Sequence, residues 1–167
     1  MNNARGLSLL LFLLALSGCG LRPVYAGGAR GPVASTLSAI SVAPIPDRAG
    51  WLTRNALIDR LGGENPGAAY RLEVDLDDDI SGFGIRGDRS VTRERRTLRA
   101  RYRLVQASTG LVLLDATAGS DAGIDVVSSP YATVAAEQTA LERLSRVVAD
   151  QIVARLALYA ANRPTGR

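Results

Sequence analysis

The alternation of apolar and polar residues is clearest between Tyr70 and Ile80. Tyr70, Leu72, Val74, Leu76 and Ile80 fall on one face, and Arg71, Glu73, Asp75, Asp77 and Asp79 on the other. A period of two predicts a half-buried strand, and only Asp78 breaks its inward row. A second alternating stretch, from about Ser90 to Ala107, sets Leu98, Ala100, Tyr102 and Leu104 against Arg93, Arg95, Thr97, Arg99, Arg101 and Arg103. Gly82, Gly84 and Gly87 lie between the two, so they are expected to pair as a hairpin. Ser108-Thr109-Gly110 reads as the next turn. A third strand follows over Leu111 to Ala118, with Val112, Leu114, Ala116 and Ala118 on one face.

Upstream, Leu37 to Ala43 alternates briefly and is ended by Pro44 and Pro46, which predicts a short first strand. Asp47 is placed to cap a helix over Ala49 to Leu61, whose core side would hold Trp51, Leu52, Leu57, Ile58 and Leu61, and Gly62-Gly63 supplies its stop. Gly119 to Tyr131 reads as a loop. Ser128-Ser129-Pro130 then opens a long helix reaching about Ala161, because serine caps and proline suits the first turn. Leu141, Leu144, Val148, Ile152, Leu156 and Tyr159 recur along it at helical spacing, and Asn162 and Pro164 end it. The order β-α-β-β-β-α predicts an α+β two-layer sandwich: a four-stranded, mostly antiparallel sheet with two helices on one face. The other face, which carries the arginines, is left to water or to a partner.

The N-terminal segment is of another kind. Leu7 to Leu16 is an apolar run too short to span a bilayer, preceded by Arg5 and closed by Leu16-Ser17-Gly18-Cys19. A charged start, an apolar centre and small residues before the end make a secretory signal. The chain's one cysteine stands where a bacterial lipobox carries its acylated residue. Residues 1–18 are therefore expected to be a lipoprotein signal peptide, with Cys19 carrying the lipid outside the cytoplasm. Residues 19–36, rich in glycine, alanine and proline, are expected to form a flexible tether. Residues 37–162 would be a single domain and 163–167 a tail. The mature chain of 149 residues is the usual size for one core.

Composition narrows the chemistry. Histidine is absent, which removes the commonest general base, the commonest zinc ligand and any Ser-His or Cys-His pair. With Cys19 taken by lipid and no convergent carboxylates, neither an enzyme nor a cofactor is expected, a cell-wall hydrolase being the enzyme considered. Asp75, Asp77, Asp78 and Asp79 are split between faces by the alternation, and no glycine-punctuated ligand loop surrounds them, so no metal site is expected. Gly82 to Gly87 lacks the spacing and following helix of a phosphate cradle and reads as a turn. All basic charge is arginine, and the formal net charge of +4 falls to +3 without Arg5. For a lipid-anchored envelope protein the relevant anions are phospholipid headgroups, lipopolysaccharide phosphates or an acidic partner, not nucleic acid.

The arginine strand supports two readings. Alternate arginines on a strand repeat at about 7 Å and could form an anion-binding stripe. Alternatively, a hairpin centred near Arg86 sets Asp79 against Arg93, Asp77 against Arg95 and Glu73 against Arg99, a cross-strand charge ladder. The ladder is favoured. The odd positions from 71 to 79 and from 89 to 103 hold seven arginines and four carboxylates, so three arginines are left over. Arg86 and Arg89 near the tip, and Arg101 and Arg103 at the far end, are the candidate contacts for an anion such as lipopolysaccharide.

Taken together, Cys19-Gly20-Leu21-Arg22-Pro23-Val24-Tyr25, Thr109-Gly110, Val126-Val127-Ser128-Ser129-Pro130-Tyr131-Ala132 and Glu137-Gln138 resemble the LptE family of lipopolysaccharide-assembly lipoproteins in its alphaproteobacterial form. The resemblance implies an outer-membrane lipoprotein on the periplasmic side, seated as a plug in an LptD-like β-barrel that delivers lipopolysaccharide to the outer leaflet. It implies two helices on a four-stranded sheet, help in barrel assembly and a contact with lipopolysaccharide through basic residues. Gly20 fits outer-membrane retention. The alternative is an auxiliary lipoprotein of an ABC-type phospholipid-trafficking system, which shares the lipobox, the early strand with its proline-rich end and the α+β size.

Overall fold

The computed structural model describes residues 31–85 and 91–162. The elements run α1 (Pro32–Ser38), β1 (Ile40–Val42), α2 (Asp47–Leu61), β2 (Tyr70–Ile85), β3 (Val91–Gln106), β4 (Val112–Asp125) and α3 (Pro130–Ala161). The four strands lie in the order β1-β2-β3-β4. β1 pairs parallel to β2, and the other two pairings are antiparallel. This is the α+β arrangement expected, with one more helix.

The core lies on one side of the sheet. Leu72, Leu98, Ala100, Tyr102 and Leu104 from the strands meet Leu57 and Leu61 of α2 and Leu141, Leu144, Val148, Ile152 and Leu156 of α3. The even positions of β2 and β3 therefore face the helices, and the odd, charged positions face outward. α3 is 32 residues long and starts and stops at the expected places.

Several local expectations are corrected. Residues 32–38, predicted to be the end of the tether and the start of a strand, form α1. Val33 and Leu37, four residues apart and so on one helical face, are both 6% exposed and join the core. Pro32 suits the first turn, and Asn65 Nδ2 donates to the Ser38 carbonyl at 2.9 Å to close the other end. The first strand accordingly keeps only Ile40–Val42.

Asp47 makes no side-chain cap to α2; it is the first helical residue, at φ 66, behind Pro46. Trp51, expected in the core, is 64% exposed. The buried side of α2 is set by Ala49, Thr53, Ala56 and Leu57, and Trp51 projects away from it. Gly62, at φ 98, ends the helix as expected, its N–H donating to the Ile58 carbonyl.

β2 runs further than the alternation suggested, through Gly82 to Ile85, while β3 keeps its expected extent. β4 also continues past Ala118 to Asp125, which shortens the expected loop, because Ala122 and Ile124 are buried beneath the helical layer.

Candidate binding surface

The uncovered face of the sheet is built from the odd positions of β2, β3 and β4. Its register differs from the expected one: the hairpin is centred two residues further along, so Glu73 lies opposite Arg103, Asp75 opposite Arg101, Asp77 opposite Arg99, and Asp79 opposite Thr97. Across the hairpin only Glu73 and Arg103 form an ion pair on this face among the described residues, so the expected ladder is reduced to one rung.

β4 brings what the hairpin alone could not reveal. Its pairing with β3 sets Asp115 opposite Arg103, Asp121 opposite Thr97 and Asp125 opposite Arg93, all on the same open face. With these three aspartates the described part of the face holds six arginines and seven carboxylates, so it is close to charge balance and not a cationic stripe.

The candidate contacts fare unevenly. Arg101 donates to both oxygens of Asp115, Nη2 to Oδ2 at 3.0 Å and Nε to Oδ1 at 3.3 Å. That hydrogen bonding holds the Asp115 carboxyl below the usual carboxylate range and raises the Arg101 guanidinium above its own. Arg103 Nη2 donates to Glu73 Oε2 at 3.1 Å, and Arg71 also holds Glu73. The two arginines expected to lack partners thus have them. Arg86, Arg89 and Cys19 lie outside the described residues.

Arg93 pairs with Asp125 at 3.1 Å. Arg95 instead stacks over the Phe83 ring, 5.3 Å from its centroid, a cation–π contact. Arg99 lies across Gly119, where an added Cβ would come within 2.7 Å of its Cδ and Nη1. Neither Arg95 nor Arg99 has an ion-pair partner among the described residues, and the odd-position count could not single them out. A groove runs beside Arg99 and Arg101, lined also by Asp75, Asp77, Thr117 and Gly119.

Two polar devices hold this face to the helices. Gln151 of α3 reaches the outer edge of β4. Its Oε1 accepts from the Gly119 N–H at 3.0 Å and its Nε2 donates to the Gly119 carbonyl at 3.2 Å, so one amide takes the place of a neighbouring strand. Asp78, the residue that broke the inward pattern, takes a fork of two bonds from Arg96, at 2.8 and 2.5 Å. With side chains 12% and 23% exposed, this is the most buried of the described ion pairs, and Arg96 Nη1 also donates to the Glu137 carbonyl of α3 at 3.0 Å. The bond to Asp78 raises the Arg96 guanidinium above its usual range. Beside it, Glu94 is pushed up, first by burial and then by the charge of and a hydrogen bond with Glu137. Glu94 Oε2 is buried without a hydrogen-bond partner.

Among the described residues no three histidine, cysteine, aspartate or glutamate side chains gather as metal ligands, and no helix is long and apolar enough to cross a membrane. The charged face offers binding through ion pairs and backbone.

Comparison with known proteins agrees with this architecture. The family model described as "LptE: Lipopolysaccharide-assembly" matches residues 37–156. A putative lipoprotein from Caulobacter crescentus is similar at 28% identity with a TM-score of 0.68, over 80% of this chain and 100% of that one. The rare lipoprotein B from Shewanella oneidensis shares the fold at 12% identity and TM-score 0.59, over 74% of this chain and 95% of that one. An uncharacterized lipoprotein B from Nitrosomonas europaea does so at 12% and 0.57, over 75% and 89%. The curated proteins contain no match.

Proposed function

The chain belongs to the LptE lipopolysaccharide-assembly family, and from that premise we propose that it is an outer-membrane lipoprotein, lipidated at Cys19, that plugs and helps assemble an LptD-like β-barrel. Its role in lipopolysaccharide assembly follows from the family. The barrel partner, the outer-membrane address and the non-catalytic nature of the work are this reading's own.

The observation that carries the plug reading is the two-sidedness of the sheet. One side is sealed by helices around an apolar core, while the other presents a rigid lattice of near-balanced charges from three strands. The lumen of a wide barrel is polar, and an occupant of it must be hydrophilic where it meets the wall. A near-balanced lattice meets that need better than a cationic stripe, because it adds little net charge to an enclosed space. Lipopolysaccharide phosphates would then be met locally. Arg99 and Arg95 are not committed to carboxylates, whereas Arg101 and Arg103 would have to exchange Asp115 and Glu73 for the phosphate. Arg86 and Arg89 complete the candidate set from the sequence.

A mild-detergent pull-down of the tagged full chain tests the reading. A large outer-membrane β-barrel should co-purify in near-equal amount. Recovery of an inner-membrane transporter complex in its place would overturn the proposal in favour of the phospholipid-trafficking alternative.

A further inference from the structure

β2 is 16 residues long, yet β1 pairs only with Tyr70–Leu72 of it. The cause lies in the sequence. Continued in register, β1 would bring Pro44 alongside Val74 and Pro46 alongside Leu76, and proline has no N–H to give a ladder. The chain then turns at Asp47 into α2. No other strand lies on that side of β2 among the described residues.

The Tyr70 N–H donates to the Ala39 carbonyl at 3.1 Å and the Leu72 carbonyl accepts from the Ala43 N–H at 2.9 Å, so the even residues of β2 aim their backbone groups at this edge. Strand alternation carries the same direction on to Val74, Leu76, Asp78, Ile80 and Gly82. Along the open face of this edge stand Asp75, Asp77 and Asp79, about 7 Å apart. None of the three has an ion-pair partner among the described residues: Arg101, opposite Asp75, turns to Asp115, Arg99, opposite Asp77, lies across Gly119, and Asp79 faces Thr97. On the helix side Leu76 is half-buried and Ile80 41% exposed, with Asp78 between them held by Arg96.

We infer that the Val74–Gly82 edge of β2 takes up an extended segment of a partner polypeptide by strand addition, and that this segment alternates arginine or lysine with apolar residues. The open backbone supplies the hydrogen bonds and the alternation supplies the choice of partner. Cationic residues of the added strand would lie beside Asp75, Asp77 and Asp79, and its apolar residues beside Leu76 and Ile80. A second copy of this chain does not fit, since edge-to-edge pairing would set the same aspartates against one another. The carboxylates thus guard the edge against self-association while leaving it open to a cation. The inference stands apart from the barrel reading, and a pull-down without a barrel would leave it intact.

The probe is a ten-residue peptide of alternating arginine and valine, added to the full chain in mild detergent and followed by fluorescence anisotropy and residue-resolved hydrogen exchange. Binding should slow exchange at least tenfold at the Val74, Leu76, Asp78 and Ile80 amides. The Asp75, Asp77 and Asp79 amides, which already face β3, should not change. Of two further peptides, N-methylated at every arginine or at every valine, one should lose at least tenfold in affinity. The variant carrying Asp75→Asn, Asp77→Asn and Asp79→Asn should also bind at least tenfold more weakly. Absent binding, absent protection, or equal affinity of both methylated peptides and the parent peptide would overturn strand addition. These measurements use the native chain and hold even if the triple variant fails to fold. A folded triple variant that binds as tightly as the parent chain would overturn the cationic partner.

Discussion

Asp78 shows what a single residue out of pattern signifies. An aspartate in the inward row of a strand needs a partner, since an unpaired buried charge is costly, and Arg96 answers it from the inward row of β3 with two hydrogen bonds. Their neighbour Glu94 is not answered in the same way, because the charge that acts on it, Glu137, has its own sign. The carboxyl of Glu94 is held above its usual range in the fold, so its favourable contribution is fully present below the ordinary glutamate range, about pH 4. It is lost as pH rises through the folded value. Glu94→Gln keeps the shape, removes the repulsion and can donate to Glu137. At neutral pH it should therefore gain about 1 kcal/mol, roughly 2–4 °C in thermal midpoint for a domain of this size. The gain should shrink to nothing in acid. Thermal melts at the two pH values decide, and an equal effect at both would show that protonation of Glu94 is not involved.

At the scale of elements, α1 is the instructive case. Its seven residues are too few to be stable alone, and it exists because Val33 and Leu37 complete the core that α3 and the sheet begin. Leu37→Ala should thus behave as a core truncation, costing about 2–5 kcal/mol by chemical denaturation. A tether residue would cost almost nothing. A change below about 0.5 kcal/mol, the range of ordinary surface substitutions, would return this segment to the tether. The extra length of β4 has the same origin, since Ala122 and Ile124 are buried only because α3 passes over them.

At the scale of the whole molecule, the balance of the open face depends on all three long strands. Replacing Asp115, Asp121 and Asp125 together by asparagine should leave the hairpin's arginine excess uncompensated. The variant should then elute from a phosphocellulose column at distinctly higher salt than the parent chain. The stability cost should stay below about 1 kcal/mol for each exposed pair lost. Equal elution would mean that β4 does not neutralise the hairpin.

Strand alternation, the glycine stop of α2, the Ser129-Pro130 start of α3 and the α+β order were legible in the chain, because each is set by residues near one another. Periodicity put Leu98, Tyr102 and Leu104 inside and the arginines outside, and the family resemblance rested on short local motifs. Trp51 was misread, since helical spacing allows several core stripes and only packing, chiefly against α3, selects the one through Ala49, Thr53 and Leu57. The hairpin register was shifted for a like reason: a glycine-rich tip admits several turn lengths, and cross-strand contacts along both strands choose among them. Arg101 looked unpaired because Asp115 of β4 is remote in sequence and becomes a neighbour only through sheet pairing, and Arg103 because the shifted register, not the expected one, sets it against Glu73. Local pattern determined which residues face in and which face out. The tertiary structure alone decided which charges meet and which edge is left open, because those depend on register and on where prolines stop a ladder in space.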